Sequence, residues 1–109
     1  MTEVPPWGTP ASSLEPAQPE EGYYLLVEQL TGSADDKAWR VHPEPMPAGN
    51  TREQARAAAA RLARTFKPQH PFREQRRSVY RVDHDALLVL VEGLTTTFHF
   101  RVNIARRIA

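Results

Sequence analysis

The spacing of hydrophobic and polar positions changes along the chain, and each change predicts an element. Tyr23 to Leu30 is a run of aromatic and aliphatic residues closed by Thr31, Gly32, Ser33 and the acidic pair Asp35 and Asp36. Such side chains fit a pleated, half-buried surface, so the run predicts a strand followed by a turn. Lys37 to His42 alternates, with Trp39 and Val41 on one face and Ala38, Arg40 and His42 on the other, the period of a half-buried strand. The two segments are expected to form an antiparallel hairpin. Pro43, Pro45 and Pro47 are expected to end it, because proline donates nothing to a ladder and restricts the residue before it.

A helix is predicted next. Thr51 caps its first amides and Gln54, three residues on, reaches back in a capping box, with Asn50 as an alternative cap. Ala55, Ala58, Ala59, Leu62, Ala63 and Phe66 then fall on one stripe that stops before Pro68. Most of the stripe is alanine, so the helix is able to lie close against a sheet. Arg52, Arg56, Arg61 and Arg64 occupy its other face.

After a proline-containing connection, Arg77 to Val82 alternates again, Tyr80 and Val82 opposite Val79 and Arg81. Asp83, His84 and Asp85 predict a polar turn. Ala86 to Val91 is apolar on both faces, as in a central strand. Thr95 to Ile104 alternates cleanly, with Phe98, Phe100, Val102 and Ile104 inward and Thr97, His99, Arg101 and Asn103 outward. The order is β-β-α-β-β-β. It implies an α+β fold, a five-stranded, mainly antiparallel sheet with one helix packed on one face, anchored by Trp39, Phe66, Tyr80, Phe98 and Phe100. One helix covers only part of such a sheet, so the second face is left to curvature, water or a partner.

Residues 1–21 break the pattern. They hold five prolines and four glutamates among scattered apolar residues, too few to offset the entropy of ordering a backbone, and are expected to be a disordered acidic leader. Residues 22–109 are expected to be a single small domain. Trp7, between Pro6 and Gly8, is the one large aromatic of the leader and reads as a docking handle or as a residue that folds back on its own domain.

Charge sharpens this division. The net charge of +1 combines a leader at −4 with a module at +5. The bias towards arginine, 12 Arg against 2 Lys, also matches GC-rich coding, which lowers the weight of any single Arg. The chain has no Cys, so disulfides, thiolate metal sites and thiol nucleophiles are excluded. No basic, apolar signal opens the chain, and the longest apolar run, Ala86 to Val91, is far shorter than a membrane span. The expectation is a soluble cytoplasmic protein without membrane contact.

The residues offer little chemistry. His42 and His99 are the histidines with a chance to meet on an open sheet face, while His84 belongs to its turn and His70 to a loop. The five isolated glycines form no phosphate loop, and no nucleophile elbow surrounds any serine. No enzyme, metal or cofactor is therefore expected. Two binding readings remain. In the first, an open face carrying Leu88 and Leu90 beside Val79, Arg81, His99 and Arg101 engages a protein partner or a second copy in a homodimer. In the second, Arg73, Arg76, Arg77, Arg81 and Arg101 contact the phosphates of a nucleic acid.

Overall fold

The computed structural model describes residues 22–31, 36–68 and 73–109. The predicted leader, with Trp7, lies outside the described residues. The elements are β1 (Tyr23–Thr31), β2 (Ala38–Val41), β3 (Met46–Pro47), α1 (Arg52–Thr65), β4 (Glu74–Asp83), β5 (Ala86–Gly93) and β6 (Thr97–Arg106). The fold is α+β. All pairings are antiparallel, in the order β2-β1-β6-β5-β4, and β3 also pairs with β1. No described helix is long and apolar enough to cross a membrane.

The helix begins as its sequence predicts. Thr51 Oγ1 accepts the Gln54 amide at 3.1 Å, and Gln54 Oε1 accepts the Thr51 amide at 3.2 Å and the Asn50 amide at 2.8 Å. Ala55, Ala59 and Ala63 are buried against Leu25 and Val27 of β1, Leu87, Val89 and Val91 of β5, and Phe100 and Val102 of β6. Methyl side chains on the helix let its axis approach the sheet, so the larger residues of the sheet fill the layer between them. Ala58, Leu62 and Phe66 complete the stripe at its margin. Phe66 tilts against Phe100, ring centres 5.0 Å apart.

The prolines interrupt the return strand rather than end it. Val41 pairs with Glu28 and the His42 amide still donates to Val27 O, but the chain then leaves β1 until Met46 pairs with Leu25 and Pro47 with Tyr24. This adds a sixth, two-residue strand. A proline is tolerated there because β3 lies at the sheet edge and has no second neighbour awaiting its missing amide.

Two anchors expected in the core, Trp39 and Tyr80, lie on the other side of the sheet. Trp39 pairs with Leu30 and Tyr80 with Leu88, the alternate positions to the buried residues of β1 and β5. Alternation sorts a strand into two faces without saying which meets the helix, and register decides that.

Candidate binding face

The face away from α1 is built from the alternate residue of every long strand. Val41 and Trp39 of β2 lead to Leu30, Glu28, Leu26 and Tyr24 of β1, then to Asn103, Arg101 and His99 of β6. Leu88 and Leu90 of β5 and Ser78 and Tyr80 of β4 continue it. Among the described residues no element packs on this face. Its large apolar side chains include Val41, Tyr80 and Val82, each more than half exposed.

The centre is polar and ordered. Asn103 Nδ2 donates to Glu28 Oε1 at 2.9 Å and to Leu26 O at 3.3 Å. Arg101 sits across from Glu28 with Nε 3.8 Å from Oε1, beyond hydrogen-bond reach, so this buried Nε has no acceptor in the described structure. Its guanidinium instead covers the Trp39 ring, 4.1 Å from the centroid. Trp39, Arg101, Leu88 and Val82 line a hollow of about 290 Å³. Towards the start of β1 a larger groove of about 400 Å³ opens between Tyr24, Leu26, Pro45, Ala105, Arg106 and Arg107.

The predicted basic residues do not form one patch. Arg101 and His99 are on the open face, with His99 opposite Leu90. Arg76 is on the same side but bound to Glu92, Nε to Oε2 at 2.9 Å. Arg73 is exposed just before β4. Arg77, Val79 and Arg81 pair with Val91, Val89 and Leu87, which places all three on the helix side rather than beside Leu88 and Leu90. The Arg81 side chain donates to His84 O in the β4–β5 turn, where Asp83 accepts the His84 amide. Asp85 of that turn instead holds Arg52 at 2.7 Å, fastening the start of α1 to the sheet.

Arg77 is structural in its contacts. Its Nε and NH2 reach both oxygens of Glu74 at 2.9 and 2.8 Å, while NH1 donates to Ala63 O near the end of α1 at 2.9 Å. In a regular strand, residues three apart point to opposite faces. The bulge between Glu74 and Arg76 changes the parity and brings Glu74 to the side of Arg77. The hydrogen bond from Arg77 holds the Glu74 carboxyl below the ordinary glutamate range, against the opposing effect of partial burial.

His42 and His99 are on opposite sides of the sheet. His42 meets Phe66 edge-on, ring centres 6.3 Å apart, at the C-terminal end of α1. Among the described residues no three His, Cys, Asp or Glu side chains group as metal ligands do. Sequence reasoning missed Trp39 and Tyr80 as components of the open face, having placed both among the core anchors. Their aromatic character marks them equally well for a core, and only the pairing partners separate the two roles. Comparison of the chain with protein-family models, with curated proteins and with solved structures finds no match, so the face itself carries the functional argument.

Proposed function

We propose that the protein is a non-catalytic binding module that acts through the open face of its sheet on another protein molecule, a second copy of this chain being the first partner to test. The observation that carries this reading is the uncovered face itself, where Trp39, Val82 and Leu88 line a hollow with the Arg101 guanidinium and Tyr80, paired with Leu88, stands more than half exposed. Aromatic residues and arginine dominate the energetics of protein interfaces because they bury much area at little entropic cost and still make directed polar contacts.

The sheet edges support the same choice by being poor docking sites. Pro43, Pro45 and Pro47 break the edge at β2 and β3, and β4 is blunted by bulges at both ends and by Arg76, Arg77 and Arg81. Association through the face asks nothing of either edge.

Sedimentation over a range of protein concentrations tests the reading. The mean mass is expected to rise with concentration and to stay at that of a monomer when Tyr80 and Val82, both exposed, are replaced by Glu. A monomer at every concentration removes the self-association form of the reading. The nucleic-acid alternative is favoured only by the presence of Arg101, Trp39 and Tyr80 on one face. It predicts binding of mixed-sequence DNA or RNA at low salt that weakens steeply as salt rises.

A further inference from the structure

The two sides of the sheet differ in charge. The strand residues of the open face include three carboxylates, Glu28, Asp83 and Glu92, against Arg76 and Arg101. The helix side is basic. From its first residue to Lys67, just past its end, α1 carries Arg52, Arg56, Arg61, Arg64 and Lys67 against one carboxylate, Glu53. Arg77 and Arg81 of β4 lie on the same side of the sheet. Two more carboxylates reach this side, and each serves two cations. Asp85 is 2.7 Å from Arg52 and 3.6 Å from Arg56, and Glu74, bound by Arg77, also feels the charge of Lys67.

Arg61 and Arg64 are the remainder. Both are exposed, one helical turn apart, on the side of α1 away from the buried Ala55, Ala59 and Ala63, and among the described residues neither forms an ion pair. Beside them Ala57 and Ala60 bear only methyl groups, which hold no partner at a distance. No exposed position of α1 carries an aromatic ring on which the bases of a single strand stack, or a Trp, Phe or Leu to enter a lipid interface. A row of cations with neither feature matches a regular line of phosphates, which asks for charge and spacing alone. Arg52 to Arg64 covers about 18 Å of helix, the axial length of roughly five base pairs.

We propose that the outer face of α1 is a second binding surface, one that takes the sugar-phosphate backbone of a nucleic acid duplex without regard to sequence. Arg61 and Arg64 make the direct phosphate contacts, and Arg56 and Lys67 contribute from the flanks. Its place on the helix side separates this surface from the open face, so it does not rest on what that face binds. It also differs from nucleic-acid contact through Arg101, whose face holds fewer cations than carboxylates. A molecule built in this way holds a duplex on one side and a protein on the other.

Fluorescence anisotropy of a short, labelled, mixed-sequence DNA duplex titrated with the full chain at several salt concentrations tests the proposal. The logarithm of the affinity is expected to fall against the logarithm of salt with a slope of about −3, as for roughly three phosphate contacts. Arg61→Gln with Arg64→Gln is expected to weaken binding at low salt about tenfold and to flatten the slope by about 2, each single change giving about half of that. Arg40→Gln with Arg107→Gln removes the same charge elsewhere on the domain and is expected to cost less than about threefold. A parental urea midpoint verifies that each variant is folded. No binding at low salt overturns the proposal, and so does an equal loss in the two double variants, which makes net charge the only cause. A loss on Arg101→Ala in place of the α1 variants moves the contact to the open face and overturns it too. Tighter binding of the single strand of the same sequence, or of phosphatidylserine vesicles, replaces the duplex as the partner. Because sedimentation reads the open face separately, either reading is able to fail while the other stands.

Discussion

Arg101 lies with its guanidinium carbon 4.1 Å from the centre of the Trp39 ring although their strands, β6 and β2, are separated in the sheet by β1. The indole thus extends over β1, and Arg101 divides its contacts between that ring and Glu28. The cation and the aromatic face attract through the quadrupole of the ring, more strongly where water is partly excluded. A double-mutant cycle on Trp39→Ala and Arg101→Ala, read by denaturant unfolding, is expected to give a coupling of about 0.5 to 1 kcal/mol. A coupling of zero means that the stack contributes nothing in solution.

The Arg77 clip joins β4 to the end of α1, and its side chain is only 11% exposed. Arg77→Ala leaves Ala63 O without this donor and frees Glu74, and a loss of about 2 kcal/mol is expected, the usual scale for hydrogen bonds to a charged group. Arg77→Lys is expected to recover only part of it, because an ammonium group lacks the fork that spans both Glu74 oxygens.

Acid is expected to open the same clip. The folded-state pKa of Glu74 lies below its unfolded value because Arg77 hydrogen-bonds the carboxylate. Its contribution to stability is therefore complete above the unfolded value and is lost as pH falls through the folded one. Urea unfolding of the parent and of Glu74→Gln over a pH series is expected to show the parent more stable at neutral pH, with the gap closing in acid. A gap that does not change with pH contradicts the coupling.

Packing differs sharply on the two sides of the sheet. Ala59 is buried between α1 and the sheet, so Ala59→Leu must push the helix outward and is expected to cost about 1 to 3 kcal/mol. Tyr80, 52% exposed on the open face, is expected to lose less than about 1 kcal/mol of monomer stability on replacement by Ala. Thermal unfolding of the two variants compares them directly.

Gly22 has φ of +46°, and a Cβ there would run into Gly49 O and lie 2.8 Å from Asn50 Oδ1. Beside it the Tyr23 amide donates to Gly49 O at 2.8 Å, fixing the start of β1 next to the helix cap. Gly22→Ala is expected to destabilise by more than about 1 kcal/mol, read as a lower denaturant midpoint.

The elements with strong local signals were legible in advance. Thr51 and Gln54 announce the helix because their bonds lie within one turn, and the alanine stripe declares its own buried face. The alternation of Phe98, Phe100, Val102 and Ile104 against His99, Arg101 and Asn103 also holds, since the phenylalanines and branched residues of β6 have one apolar side to offer.

Where both faces of a strand carry suitable residues, local pattern had no means to choose. Trp39 and Tyr80 suit a core, yet pairing with Leu30 and Leu88 sends them to the open side. Arg77 has the look of a surface cation, yet a bulge supplies its Glu74 partner and the helix end supplies a carbonyl. Composition and periodicity therefore determined the helix, the five longer strands, the α+β class and the excess of sheet over helix, because these rest on interactions between residues near in sequence, whereas the two-residue β3 exists only through its pairing with β1. The face each strand presents, the division of the arginines between clip and surface, and the meeting of Trp39 with Arg101 rest on register between distant strands. A shift of one residue in that register would exchange the two faces, and only the tertiary structure decides it.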